Sequence, residues 1–237
     1  MMSNQEAVIQ GLMKALRDDN QLVRSAAARA LGRMKAAEAV PLLMLSLRDK
    51  AGLVYDFAVN ALSAMPAESV VGPMLERAKD PDADVRRAAA NVLGAVKAVE
   101  SVPILIDLLE DEVLAVRHAA AKALGEIGSR EAVPDLVQAI ESPHADWTMC
   151  INASIALGKI GNVDAVPALV NLFRRRWDPV PGMNTSPPVR KNVIDALVTL
   201  GEPAVPGLLE FIRDPDVKVR HGAVEALGHI GAGGMVE

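Results

Sequence analysis

Four acidic residues each stand six positions before an arginine: Asp18/Arg24, Asp80/Arg86, Asp111/Arg117 and Asp214/Arg220. A guanidinium and a carboxylate at fixed spacing can form charge-assisted hydrogen bonds or clamp an anionic group. The regularity of the set favours the structural use, a ladder tying a turn to the helix that follows it. Other reactive side chains lack company. Cys150, the only cysteine, has no histidine or acid at the spacing of a nucleophile pair, and a lone cysteine is ordinarily a small core residue. No glycine-rich loop suits a phosphate. The run Arg174–Arg176 could attract an anionic partner locally but reads as solvated surface. These residues supply no catalytic set and no metal ligands, and no cofactor is expected.

The elements that position them come from one repeated motif. VRHAAAKALGEIG begins at Val116, with near copies at Val23, Val85 and Val219 and degenerate copies at Val54, Met149 and Val189. The starts run 23, 54, 85, 116, 149, 189 and 219, a period near 31 that widens twice. Counted from the first residue of each copy, apolar side chains fall at offsets 0, 3, 4, 7, 8 and 11, a helical stripe. Offsets 2, 5, 6 and 9 lie opposite and are expected to face solvent. Offset 9 is small in six copies (Gly32, Ser63, Gly94, Gly125, Gly158, Gly228), which would also admit close packing. Gly128, Gly161, Gly201 and Gly231 read as C-terminal stops. The arginine of each pair sits at offset 1, on the flank where a neighbouring repeat would be met. A second helix precedes each copy, typified by AVPDLVQAIES from Ala132. Pro41, Pro103, Pro134, Pro167 and Pro206 mark its first turn, with Pro73 displaced by one.

Two helices per unit of about 31 residues predict an all-α fold, a right-handed α-solenoid superhelix of about seven helix pairs, second helices on the concave side. The repeats span roughly 6–35, 36–67, 68–97, 98–129, 130–162, 163–202 and 203–232 of a single domain, 1–237, with an insertion at 174–188. Unit one is polar at its start, as a cap would be. From Gly231 on only GAGGMVE remains, without a capping helix, so either the chain is cut short or the last face is covered by another chain, including self-association.

The motif is violated most between Trp147 and Pro188. Tyr55 replaces the ladder arginine in repeat two, and Ser142 and Cys150 replace both members in repeat five. Arg175 stands at the acid's place in repeat six. Offsets 2 and 6 are polar or charged in the other repeats but Ile151 and Ile155 in repeat five. Both tryptophans, Trp147 and Trp177, fall in this zone, as does Met183 in the proline-rich insertion. Either the insertion folds back over the isoleucines, or Trp147, Ile151, Ile155, Trp177 and Met183 form a partner-binding patch.

Bulk properties narrow the classes. Hydrophobic residues make up 51% and aromatics 3%, which suits closely packed helices. A net charge of −5 lacks the basic excess of a phosphate-reading protein, so a nucleic-acid partner is not expected. One cysteine points to a reducing compartment and a cytoplasmic location. No apolar run approaches the ~18 residues of a membrane span.

The units AVPxLxxxLxD…VRxxAAxALGxIG resemble the short HEAT-like repeats of phycobilisome (bilin) lyases, across essentially residues 6–232. The sequence reads as a non-catalytic protein-binding scaffold or adaptor using the concave surface and the repeat-six loop; the resemblance implies the alternative, a bilin lyase subunit or chaperone acting on phycobiliproteins. HEAT-like di-iron hydroxylases carry a His-Glu pair at this kind of helix start. Here the pairs are His118-Ala119 and His221-Gly222, so that iron site is not expected.

Overall fold

The computed structural model describes residues 3–142, 145–175 and 189–233, and every regular element among them is helical. In chain order the α-helices are α1 (Asn4–Ala15), α2 (Gln21–Met34), α3 (Val40–Ser46), α4 (Gly52–Ser63), α5 (Ala67–Arg77), α6 (Ala83–Ala95) and α7 (Val102–Asp107). There follow α8 (Leu114–Ile127), α9 (Val133–Glu141), α10 (Trp147–Ile160), α11 (Val166–Arg174), α12 (Val189–Leu200), α13 (Val205–Phe211) and α14 (Val217–Gly233). Odd and even helices pair along the chain, and the fold is an α-solenoid. It divides into two compact units, Met1–Ala123 and Leu124–Glu237, with the boundary inside α8. Among the described residues no helix is long and apolar enough to cross a membrane.

Local chemistry sets the helix ends. Pro41, Pro103, Pro134, Pro167 and Pro206 occupy the first turns of α3, α7, α9, α11 and α13, each after a short 3₁₀ turn. Their missing N–H groups cost nothing there. Pro73 is different: it lies inside α5, because that helix starts early, behind Pro66 and without a 3₁₀ turn. Ser3 and Glu6 form a reciprocal capping box on α1, at 2.7 and 3.2 Å. Asn20, Asp82 and Asp146 cap α2, α6 and α10. Gly128, Gly161 and Gly201 stop their helices at φ 77°, 71° and 73°. Two stops are lysines, Lys35 and Lys97 at φ 50° and 53°. Gly231 is not a stop, since α14 continues through it.

The even helices are buried more widely than a single stripe requires. Offsets 5 and 9 were expected in solvent. Instead Ala28, Ala90 and Ser154 at offset 5 are fully buried, and Gly32, Gly94 and Gly158 at offset 9 are buried too. The reason is stacking. A Cβ on Gly32, Gly94, Gly125 or Gly158 would stand 2.6–3.0 Å from the Cα of Ala61, Ala123, Ala156 or Ala196, the offset-7 residue of the next repeat. Each even helix is thus covered by its own partner and, on its flank, by the following even helix. Ser25, at offset 2, is also buried, its hydroxyl donating to the Leu22 carbonyl at 3.1 Å.

Candidate functional site

The acid–arginine ladder has a different wiring from its six-residue spacing. Arg86 donates from Nη1 to the backbone carbonyls of Asp80 and Pro81, at 2.9 and 3.0 Å, closing the turn before its own helix. Its Nε and Nη2 go forward to the carboxylate of Asp111, at 2.7 and 2.9 Å, in the next repeat's turn. Arg24 repeats the arrangement, with the carbonyls of Asp18 and Asp19 behind and the Asp49 carboxylate ahead at 2.7 and 3.0 Å. Arg117 holds the carbonyls of Asp111 and Glu112, and Arg220 those of Asp214 and Pro215. The turn carboxylate also accepts an N–H two residues on, as Asp111 does from Val113 at 2.9 Å. One arginine therefore pins two turns.

These contacts fix the ionisation of the turn acids. The Arg24 side chain holds Asp49, and the Arg86 side chain holds Asp111, below the ordinary carboxylate range. The Lys218 N–H does most to lower Asp216, helped by Arg190 at 3.0 Å. Burial opposes ionisation of Asp80, but the Asp82 N–H and Arg48 outweigh it.

Where repeat two has Tyr55 in place of arginine, the junction is rebuilt. Arg48 reaches both Asp80 carboxylate oxygens at 2.7 Å, and the Tyr55 hydroxyl donates to the Asp84 carbonyl at 3.1 Å. Cys150 is fully buried, and burial pushes its thiol up to about 11. Between repeats five and six the surface opens into a groove lined by Ile140, Ser142, Ala168, Asn171 and Arg175.

A second feature is the apolar stripe of α10. Trp147, Ile151 and Ile155 follow one another at four-residue spacing on α10, so they share a face about 12 Å long. Trp147 is 37% and Ile155 38% exposed, and Ile151 is half-buried. Lys159 continues the row and is tied to Glu126 at 2.7 Å. On α12, packed against α10 through Gly158 and Ala196, the matching positions are the exposed Lys191 and Asp195. Large apolar side chains thus stand in a polar surround. Trp177 and Met183 lie outside the described residues, so the geometry joins only three of the five patch residues. No group of three or more His, Cys, Asp or Glu side chains suited to a metal gathers among the described residues.

HEAT-repeat sequence patterns match residues 2–63, 46–121, 71–149, 114–181 and 183–235. The chain belongs to the HEAT repeat family. No curated protein matches it in sequence. Among solved structures, this HEAT-repeat chain is similar to an engineered protein at 22% identity and TM-score 0.53, over 96% of this chain and 69% of that one. It is similar to Kap121p at 13% identity and TM-score 0.71, covering 96% of this chain and 29% of that one. It is also similar to Kap95 in a complex of Kap95 with Nup1, at 14% identity and TM-score 0.68, over 95% and 37%. The chain thus spans about a third of the length of these two larger solenoids. At such identities the likeness is one of fold.

The inter-repeat acids Asp49 and Asp216, and the substitute Arg48, escaped the six-residue reading. The signal was present at a longer spacing: Arg24/Asp49 and Arg86/Asp111 are both 25 residues apart. At that spacing Arg117 meets Ser142 and Cys150 meets Arg175, so the losses around repeat five are coordinated rather than scattered.

Proposed function

We propose that this chain is a non-catalytic protein-binding scaffold, engaging its partner through the outward residues of its even helices. The centre of the contact is the α10 stripe, Trp147, Ile151 and Ile155, extended by Trp177 and Met183 of the insertion at 174–188. The observation that carries this reading is the half-burial of Ile151 and the 38% exposure of Ile155, at two positions that are polar in every other repeat, on the same helix face as Trp147 at 37%. A rigid aromatic flanked by aliphatic anchors and rimmed by charge has the composition of a binding hot spot. That Kap95, a solenoid of similar fold, was solved in complex with Nup1 supports protein binding as the use of such a surface.

Alanine at Trp147, Ile151 and Ile155 together should reduce capture of the partner from source extract at least tenfold, with helical content by circular dichroism unchanged. Undiminished capture would remove the stripe from the account. A bilin lyase-type role, implied by the repeat pattern, would instead appear as colour when the purified chain is mixed with a bilin.

A further inference from the structure

Within the unit Met1–Ala123 charge is segregated by helix. The whole chain carries a net charge of −5, yet only Asp56 and Asp84 are acidic on the even helices of this unit. Its other acids stand on odd helices or between helices, and Asp84 is taken by Arg87 at 2.9 Å. The offset-6 row therefore reads Arg29, Asn60, Asn91 and Lys122, on α2, α4, α6 and α8. At the same offset the unit Leu124–Glu237 carries Ile155, Asp195 and Glu225.

Tight stacking aligns the row. Asn60 and Lys122 adjoin Ala61 and Ala123, which seat on Gly32 and Gly94, and the Tyr55 hydroxyl of α4 reaches the Asp84 carbonyl of α6 at 3.1 Å. Its cations are not neutralised. Arg29, Lys122 and Arg33, one turn beyond Arg29, meet no carboxylate among the described residues, although like charges at four-residue spacing repel. The Arg29 guanidinium lies 5.5 Å over the Phe57 ring of α4, which holds its donors in place before any ligand arrives. Asn60 is exposed and Asn91 half-buried, and neither side chain makes a hydrogen bond among the described residues. Each amide offers two donors and an acceptor, the complement of a peptide backbone.

We propose that this row binds an acidic segment of a protein partner, held extended across α2, α4, α6 and α8. Packed helices stand about 8–10 Å apart, and a polyproline II chain turns once every three residues, about 9 Å, with its own backbone groups unbonded. Asn60 and Asn91 then hold successive turns of the partner's backbone, while carboxylates about nine residues apart reach Arg29 and Lys122. A nucleic acid fits less well. Its phosphates recur at every nucleotide, whereas this row sets two neutral amides between its cations and has the Asp56 carboxylate one turn from Asn60. Phe57 and Tyr55, the aromatic rings at hand, are already stacked under Arg29 and Arg87 rather than free for bases. This use of the row rests on reading the chain as a protein-binding scaffold, but not on the α10 stripe.

Fluorescence anisotropy on the full chain tests it, with a labelled peptide of alternating glutamate and proline, about twelve residues long so that it spans the row. The wild-type chain should bind this peptide, less tightly as salt rises, and should not bind the lysine–proline counterpart. Arg29→Glu with Lys122→Glu should weaken binding at least tenfold, while Lys14→Glu with Lys79→Glu, exposed cations off the even helices, should not. Asn60→Ala with Asn91→Ala should weaken it about fivefold without changing the salt dependence, a loss that diffuse charge attraction would not give. Asn60→Phe, which sets an apolar ring across the row, should lose the peptide altogether. The peptide has no large apolar side chain for the α10 stripe, so the stripe's own test stands or falls separately. No binding by the wild-type chain up to the peptide's solubility limit would overturn the proposal. So would asparagine variants that bind like wild type, equal losses from both pairs of charge reversals, or tighter binding of oligothymidylate through the same residues.

Discussion

Gly94→Val should destabilise the protein by about 3 kcal/mol, the upper range for overpacking a closely packed site. A Cβ at Gly94 would lie 2.6 Å from the Cα and 2.7 Å from the Cβ of Ala123, so the obstacle is the neighbouring helix itself rather than a side chain that can swing aside. Relief requires α6 and α8 to separate, which opens the small-residue contact that aligns them. Gly94→Ala sets the same clash against roughly 1 kcal/mol of gained helix propensity, and should cost about 1–2 kcal/mol. Gly11→Ala supplies the contrast. Gly11 lies within α1 with nothing inside 4 Å, so propensity acts alone and the variant should be neutral or up to about 1 kcal/mol more stable. Adding Ala123→Gly to Gly94→Ala should recover much of the loss. The chain already varies this pairing twice, with Ser63 and Val198 at offset 9 and Val92 and Ala226 at offset 7 of the following repeats. Urea unfolding followed at 222 nm separates these cases.

Asp111→Ala should cost about 3 kcal/mol, the lower end for breaking a buried ion pair by removing one partner. It leaves the Arg86 guanidinium, with its side chain 11% exposed, without the bidentate acceptor it holds at 2.7 and 2.9 Å. It also orphans the Val113 N–H at the start of the following turn. Replacing Arg86 and Asp111 together by apolar residues should cost less than either single change, because no stranded charge remains. The same acids set the response to pH. Asp49 and Asp111 titrate lower in the folded protein than in the unfolded chain, so their stabilisation is fully present above the unfolded value, about 4, and is lost as pH falls through the lower folded values. Melting temperature should fall on acidification below about pH 4, and less steeply once both acids are replaced by asparagine.

The helices, their phase and the helix-pair period were legible because Val, Leu and Ala recur at fixed offsets and because proline marks one end of a helix. What escaped was burial by small residues. A hydrophobic stripe registers Val92 and Leu93 but gives little weight to Gly94 or Ala90, so a helix covered on its flank by glycine–alanine contacts reads as one-sided. The ladder was legible as a set and misleading as pairs. Asp80 and Arg86 are neighbours in sequence, yet the carboxylate of one and the guanidinium of the other each turn to a different repeat. Asp49 was hidden because its own repeat carries Tyr55 at the arginine position. The α10 stripe was readable for the opposite reason: isoleucine is conspicuous where every other repeat is polar.

Site-specific photocross-linking tests the binding claim most directly. A photoreactive phenylalanine analogue at position 155 should trap a discrete partner from source extract. The same analogue at position 60, the equivalent exposed site of repeat two, should trap little. Equal trapping at both positions, or none at 155 while the chain still captures its partner, would contradict the assignment of the α10 stripe as the recognition surface.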